Sequence, residues 1–151
     1  MCKQYPFADY TLKGGVTGVT LGTTPAHLFK SLVEATAFGS RAIMEHLEKE
    51  GVKVTEVIGV GGISLKSPYV MQTLSDVMGL PIKVAAAQQA GALGAAMLAS
   101  VVGGLYATVE EAQQCLGQGV LASYQPDWQK STVYAEKYKR YLSLAQFLEN
   151  S

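Results

Sequence analysis

The stretch from Val54 to Ala99 decides the fold of this chain; it reads VTEVIGVGGISLKSPYVMQTLSDVMGLPIKVAAAQQAGALGAAMLA. An apolar strand, buried at its far end, is predicted over 54–60, directly before the pair Gly61-Gly62. Ser67-Pro68 begins the next helix. A second short strand over 81–84 leads into a helix of small residues. Glycines after a strand let a ligand approach the backbone, because no Cβ intervenes. The following helix presents free N–H groups to the same place, so this order of elements is typical of a nucleotide site.

Further helices are indicated on both sides of this stretch. Thr24-Pro25 repeats the signal of a capping hydroxyl and a first-turn proline, and its helix runs for about 25 residues, until Gly51. Thr108 caps a short helix that ends near Leu116, and a final helix over 129–148 places its tyrosines on one face. Because strands alternate with helices, the sequence predicts an α/β domain with long helices packed on a short parallel sheet.

The predicted strands are few for the number of helices. A two-stranded sheet covers little apolar helix surface, so we interpret the chain as the C-terminal portion of a domain whose early strands are missing. Residues 1–23 are expected to form an extended arm or loop, and residues 24–151 the domain itself, truncated on its N-terminal side. An uncovered sheet edge and apolar helix faces favour pairing with another copy, so we expect self-association.

Composition excludes several function classes. The 151 residues are 48% hydrophobic and 16% charged with a formal net charge of zero, so a core can form. The 12 basic residues are dispersed, which disfavours nucleic acid as a partner. Cys2, Cys115, His27 and His46 are the only cysteines and histidines, and their spacing fits neither a disulfide framework nor a zinc site. No signal pattern follows Met1, and we expect a cytoplasmic protein.

Residues 90–107 carry no charged side chain, and this segment approaches the length of a membrane span. Its many glycines and alanines make it weakly hydrophobic, and no basic residue flanks it closely. We therefore predict a helix that packs tightly within the domain and no contact with a membrane.

A dinucleotide fold is the first hypothesis for the glycine turn. The segment Gly59–Ser64 matches only the first part of the G-x-G-x-x-G fingerprint, with serine in place of the last glycine. The next strand, 82–84, carries no carboxylate for the ribose hydroxyls. A P-loop is excluded as well, because no Gly-Lys-Ser/Thr occurs in the chain.

A more extended set of residues resembles the FGGY family of carbohydrate kinases. The adenosine motif of that family has a glycine turn, Ser/Asn-Pro, a Gln, an Asp and Gly-x-Pro, followed by Glu/Gln-x-x-Ala-Leu-Gly-Ala-Ala. The matching residues, in chain order, are Gly18–Leu21, Leu32–Gly39, Gly61-Gly62-Ile63, Lys66-Ser67-Pro68, Gln72, Asp76, Gly79-Leu80-Pro81, Gln89 and Ala92–Met97. Glu34–Gly39, Gln89 and the tyrosine-rich last helix are most similar to the L-ribulokinase branch of the family.

The resemblance implies an actin- and hexokinase-like (ribonuclease H-like) fold of two domains with ATP between them. Gly61, Gly62 and Ile63 would line the adenine and ribose, and Ser67 would reach the purine. The family's phosphate loops, its catalytic base and its sugar pocket match nothing here, so the resemblance implies no catalytic and no metal-binding residue in this chain. Magnesium would be held mainly by parts outside it. The chain alone is expected to be inactive as a kinase.

Several of these residues also have purely structural interpretations. Ser67 can act only as a helix cap, and the small residues 90–95 can serve close helix–strand packing. Gly22-Thr23-Thr24 is interpreted as the start of a helix in preference to a phosphate clamp. Glu34 and Asp76 are interpreted as solvated or cap-supporting charges, in preference to catalytic acids.

The leading hypothesis is therefore the adenosine-binding part of a kinase that converts L-ribulose to L-ribulose 5-phosphate, a reaction of L-arabinose catabolism. Its nucleotide partners would be ATP and ADP, and the sugar would bind to an N-terminal domain. Another FGGY kinase, acting on xylulose or glycerol, is the nearest alternative, because nothing in this part touches the sugar. A non-catalytic association module with an actin-like fold and a dinucleotide-binding oxidoreductase fragment are the alternatives from other classes.

Overall fold

The structure, a computed structural model, describes residues 14–149, and the secondary structure in that range alternates between helices and strands. The N-terminal residues of the predicted arm, 1–13, lie outside the described range, and residues 14–20 form neither helix nor strand. The elements are α1 (Pro25–Lys49), β1 (Val57–Gly59), α2 (Gly62–Lys66), α3 (Pro68–Met78), β2 (Ile82–Ala85), α4 (Ala90–Val102), α5 (Val109–Leu116), β3 (Val120–Tyr124) and α6 (Trp128–Glu149).

The strands form one mixed sheet in the order β1-β2-β3. β1 and β2 run parallel, with Val57 opposite Ile82, whereas β2 and β3 run antiparallel, with Ile82 opposite Tyr124. The prediction of helices packed on a small sheet is confirmed, but the sheet is not purely parallel. After α5, the chain returns to the sheet at the carboxyl end of β2, where the amide of Ala86 donates to the carbonyl of Gly119. β3 starts there and therefore runs back along β2, antiparallel to it.

Local capping signals place the helix ends where the sequence predicts them. The Thr24 hydroxyl accepts from the amide of His27, whose side chain accepts in return from the Thr24 amide, a capping box ahead of Pro25. Thr108 caps α5 by accepting from the amide of Glu111. α3 ends at Gly79, whose φ of 67° lies in the left-handed region.

Two apolar clusters on α3 join the helices to the sheet. In the first, Phe38 of α1 packs with Val77 of α3 and with three tyrosine rings of α6, the closest of them, Tyr141, 5.3 Å away between ring centroids. In the second, Met71 of α3 packs on Ile82 and Val84 of β2, which are 1% and 0% exposed. α3 therefore fixes both the long helices and the sheet, and any group at its N-terminus is held firmly.

Polar side chains of α3 also hold the connection between β3 and α6. The Ser75 hydroxyl shares its proton between the carbonyls of Leu80, at 2.9 Å, and Tyr124, at 3.1 Å. The Gln72 amide donates to the carbonyl of Gln125 at 2.8 Å. Asp76 accepts from the Gln72 amide at 2.7 Å and from the backbone N–H of Asp127 at 2.9 Å. Through its hydrogen bond to Asp127, Asp76 supports the start of α6, as predicted. Because Asp76 is 2% exposed, it is not solvated.

Glu34 is also buried, contrary to the prediction of a solvated charge. The residue is 7% exposed and lies on the face of α1 that meets α6. Lys137 of α6 donates to both carboxylate oxygens at 3.0 Å. Burial of a charge requires such a partner, so this ion pair fastens α6 to α1.

Two predictions of burial are wrong. β1 was expected to be buried at its far end, yet Ile58 and Val60 are 59% and 57% exposed. Ile58 lies beside the exposed Lys83 on the face of the sheet opposite to the one that α3 covers. The small residues of α4 were expected to pack against a strand. A Cβ added at Gly91 or at Gly94 would meet no atom within 4 Å, so this face of α4 is open among the described residues.

Candidate nucleotide site

The predicted site begins where β1 ends. β1 and β2 are parallel, so their carboxyl ends lie at the same edge of the sheet, and ligands of open α/β sheets bind at that edge. Gly61 follows β1 there, and Gln89, the N-cap of α4, follows β2. The topology therefore brings both family signatures to one edge of the sheet.

The three glycines of the turn have different physical roles. A Cβ at Gly59 would lie 2.8 Å from Met71 Cε and 3.3 Å from Ser64 Cβ, so Gly59 permits close packing of β1 on the helices. Gly61 has φ 91° and ψ 179°, a region of backbone space that is essentially restricted to glycine. A Cβ at Gly61 or at Gly62 would meet no atom within 4 Å, so this side of the turn is open to a ligand.

A short helix that the sequence did not predict separates the glycines from Ser67. α2 spans Gly62–Lys66, and Ser64 steadies its start by donating to the carbonyl of Gly61 at 2.7 Å. A sequence signal for α2 was present: Ser64, three residues after the turn glycine Gly61, has a hydroxyl that can bond back to the carbonyl of Gly61. Five residues of helix rise by roughly 7.5 Å, so Ser67 lies about one helical turn from the glycines and not beside them.

Ile63 and Ser67 complete the predicted set. Ile63 is 61% exposed and presents its side chain beside the open glycines. Ser67 is half-buried, and its hydroxyl accepts from the amide of Val70 at 3.4 Å, as a cap of α3. A hydroxyl that accepts one hydrogen bond keeps its own proton to donate, so the capping role leaves Ser67 free to donate to a ligand.

The chemistry of this turn is that of binding and not of proton transfer. Backbone N–H groups, one exposed aliphatic side chain and one hydroxyl match the uncharged edges of a purine and a ribose. Within residues 14–149, no group of three or more His, Cys, Asp or Glu residues is placed to hold a metal ion. In the same range, no helix is long and apolar enough to cross a membrane.

The segment before α1 forms a compact turn. The amide of Thr23 donates to the carbonyl of Thr20 at 3.0 Å, and the Thr23 hydroxyl accepts from the amide of Thr20 at 2.9 Å. With the Thr24 side chain engaged in the capping box, these contacts explain Gly22-Thr23-Thr24 as a helix start.

Comparison with known proteins shows which family the sequence of this chain matches. Residues 4–103 match the C-terminal domain of the FGGY family of carbohydrate kinases. The chain is 40% identical over 147 residues to a ribulokinase of Vibrio parahaemolyticus, and 38% identical over 143 residues to one of Halalkalibacterium halodurans. These alignments cover 97% and 92% of the chain but only 26% and 25% of the two ribulokinases.

A solved structure gives the same result at the level of the fold. The crystal structure of xylulose kinase from Rhodospirillum rubrum superposes on 89% of this chain with a TM-score of 0.77 at 26% identity. The superposition covers 27% of that kinase. The chain thus spans about a quarter of the length of the relatives that it matches.

Proposed function

Because the chain belongs to the FGGY family of carbohydrate kinases, as part of that family's C-terminal domain, we propose that it holds the adenosine of ATP in a kinase. The single observation that carries this proposal is the family match across residues 4–103, which contain the whole glycine turn and both neighbouring strands. The open side of that turn supports it, since Gly61 and Gly62 leave room for a ligand against the backbone.

We infer L-ribulose as the sugar, converted to L-ribulose 5-phosphate as in L-arabinose catabolism. The support is sequence identity: ribulokinases reach 40%, against 26% for the xylulose kinase of Rhodospirillum rubrum. Xylulose is the second candidate, because the overall shape of this chain matches that kinase. The sugar would bind outside this chain, and the reaction would take place in the cytoplasm, where ATP is available.

Within the described residues, the proposal gives each site residue one task. Gly61 and Gly62 expose backbone to the ribose and the adenine, Ile63 packs on the purine, and Ser67 donates to it. ATP itself supplies the phosphoryl group that is transferred. Transfer also needs groups around the phosphates and a base for the sugar hydroxyl, and these groups, with Mg²⁺, are proposed to come from other parts of the enzyme.

The first experiment is an NMR titration of the ¹⁵N-labelled 151-residue chain with adenosine and with ADP. Saturable shifts are expected at 59–67, and Gly62→Leu is expected to weaken binding about tenfold, because its side chain would fill the open side of the turn. Gly91→Leu is the matched control, since a Cβ there also meets no atom within 4 Å. Shifts confined to other residues, or equal losses for both variants, would contradict the proposed site.

The second experiment identifies the substrate. The coding DNA upstream of Met1 is read, any longer product is expressed, and phosphorylation of L-ribulose, xylulose and glycerol is measured with ATP. A kcat/KM at least tenfold higher for L-ribulose is expected. Preference for another sugar would overturn the assignment of substrate and leave the adenosine site standing. A stop codon directly before Met1 would favour the association-module hypothesis.

We infer as well that the chain by itself associates with other copies. The support is exposed apolar surface on one face of α4 and beyond it, where Leu98, Val102 and Leu105 are 57%, 91% and 77% exposed. Apolar surface of this extent favours association. Sedimentation equilibrium is expected to show dimers or larger species, and Val102→Lys is expected to weaken them. A monomer at about 100 µM would contradict this inference.

A further inference from the structure

A second cleft lies between α1, α3 and α6. Its volume is about 440 Å³, within the range of about 300–1,000 Å³ that is usual for sites of small organic ligands. None of residues 61–67 lines it, so it is separate from the glycine turn. An inference about this cleft therefore does not depend on the proposed adenosine site.

Aromatic and apolar side chains form part of its wall. Tyr69 of α3 and Tyr134 and Val133 of α6 line the cleft. Burial, with smaller contributions led by Glu34, raises the pKa of Tyr134 to about 12, so its phenol stays uncharged well into the alkaline range. A flat apolar ring is the ligand group that such a wall favours.

Three lysines line the same cleft and differ in how firmly they are held. Lys137 is bound to both oxygens of Glu34 at 3.0 Å. Lys30 lies 3.9 Å from the same carboxylate, and Lys130 lies 3.4 Å from Asp127. The side chains of Lys30 and Lys130 are 55% and 59% exposed, and exposed ion pairs contribute little. These two ammonium groups can therefore turn to a ligand at small cost.

Ammonium groups outnumber carboxylates in the lining of the cleft. Among the described residues that line it, Asp76 is the one carboxylate, and it is 2% exposed. It already accepts hydrogen bonds from Gln72 and from the Asp127 amide. Glu34 and Asp127, the partners of the lysines, are not part of the lining. The lining itself thus presents three ammonium groups and one buried carboxylate beside an aromatic wall.

We propose that this cleft binds an aromatic anion, a flat ring that bears a carboxylate or a phosphate. The ring packs against Tyr69 and Tyr134, and the anionic group is bound by Lys30 and Lys130. The proposal requires two things of the ligand together, the ring and the negative charge, and the experiment separates them.

The probe is indole-3-acetate, with indole-3-acetamide as its uncharged equivalent. Each is titrated into the ¹⁵N-labelled 151-residue chain, and amide shifts are followed by NMR. Indole-3-acetate is expected to shift 69–76 and 129–137 in a saturable manner and to bind about tenfold more tightly than the amide. Equal affinity for the two compounds, or shifts confined to 59–67, would overturn the proposal.

The lysines are tested by charge removal at matched sites. Lys30→Gln with Lys130→Gln is expected to weaken indole-3-acetate about tenfold and to leave the amide unchanged. Lys53→Gln with Lys139→Gln removes the same charge from outside the cleft and is expected to leave both affinities unchanged. Equal losses for the two double variants would assign the effect to overall charge and overturn the site. The NMR spectra themselves show that each variant is folded.

Discussion

Replacement of Asp76 by alanine tests the contacts that hold α6 in place. Asp76 is 2% exposed and accepts hydrogen bonds from the Asp127 N–H at 2.9 Å and from the Gln72 amide at 2.7 Å. A hydrogen bond to a charged group contributes about 1.5–3 kcal/mol. The Gln72 amide keeps a partner in the carbonyl of Gln125, so its loss is smaller, about 1 kcal/mol. Asp76→Ala is therefore expected to lower the free energy of unfolding by about 3 kcal/mol.

Urea denaturation followed by circular dichroism measures this loss. With a slope of about 2 kcal/mol per M, the midpoint of unfolding is expected to fall by about 1.5 M. Asp76→Asn retains an acceptor oxygen and is expected to lose less than half as much. Glu136→Ala removes a carboxylate whose side chain is 68% exposed and serves as the matched control. If Asp76→Ala and Glu136→Ala lower the midpoint equally, Asp76 does not support α6 and the reasoning fails.

Three further predictions concern α6, α5 and alkaline pH. Lys137→Met leaves the buried Glu34 carboxylate with only Lys30, 3.9 Å away, and is expected to lower the free energy of unfolding by about 2 kcal/mol. Most of this loss is expected to be recovered when Glu34→Gln is added, and no recovery in the double variant would contradict the pairing. Gly117→Ala places a Cβ against the backbone carbonyl oxygen of Gln113, so a clear loss of thermal stability is expected, and an unchanged Tm would contradict this reasoning. Because burial raises the pKa of Tyr134 to about 12, the folded state holds this proton more tightly than the unfolded state, and the resulting stability is lost as pH rises from about 10 to 12. Tyr134→Phe is expected to show a shallower decline of the urea midpoint over that range, and an identical decline would contradict the assignment.

The helix ends and the family were accessible from the sequence because their signals are local. Thr24, Ser67 and Thr108 each cap the helix that was predicted for them, and Gly79 ends α3. The resemblance to FGGY kinases, based on the order of short motifs around Gly61-Gly62, is confirmed by the match over residues 4–103.

What the sequence did not reveal depends on contacts between distant residues. β3 was not predicted because its pairing with β2 is what makes it a strand, so the mixed sheet was missed. Glu34 and Lys137 are 103 positions apart, and no local pattern pairs them. The hydrophobic run of β1 predicted burial, but exposure of Ile58 depends on which elements cover the sheet. At the site, glycine permits the positive φ of Gly61 but does not dictate it, and α2 shows only in the folded backbone.

The uneven burial of α1 has a consequence for its dynamics. Its buried residues, Glu34, Ala37, Phe38 and Met44, belong to its middle and C-terminal parts, whereas Phe29 and Leu32 are 62% and 61% exposed. Opening the first two turns therefore breaks helical hydrogen bonds but exposes little further apolar surface, while opening the middle disrupts the aromatic cluster. Amide hydrogens of one continuous helix should consequently exchange with solvent on widely separated timescales. The nine residues that precede Glu34 would behave as a fraying end, and those around the buried Ala37 and Phe38 would exchange only when the domain unfolds.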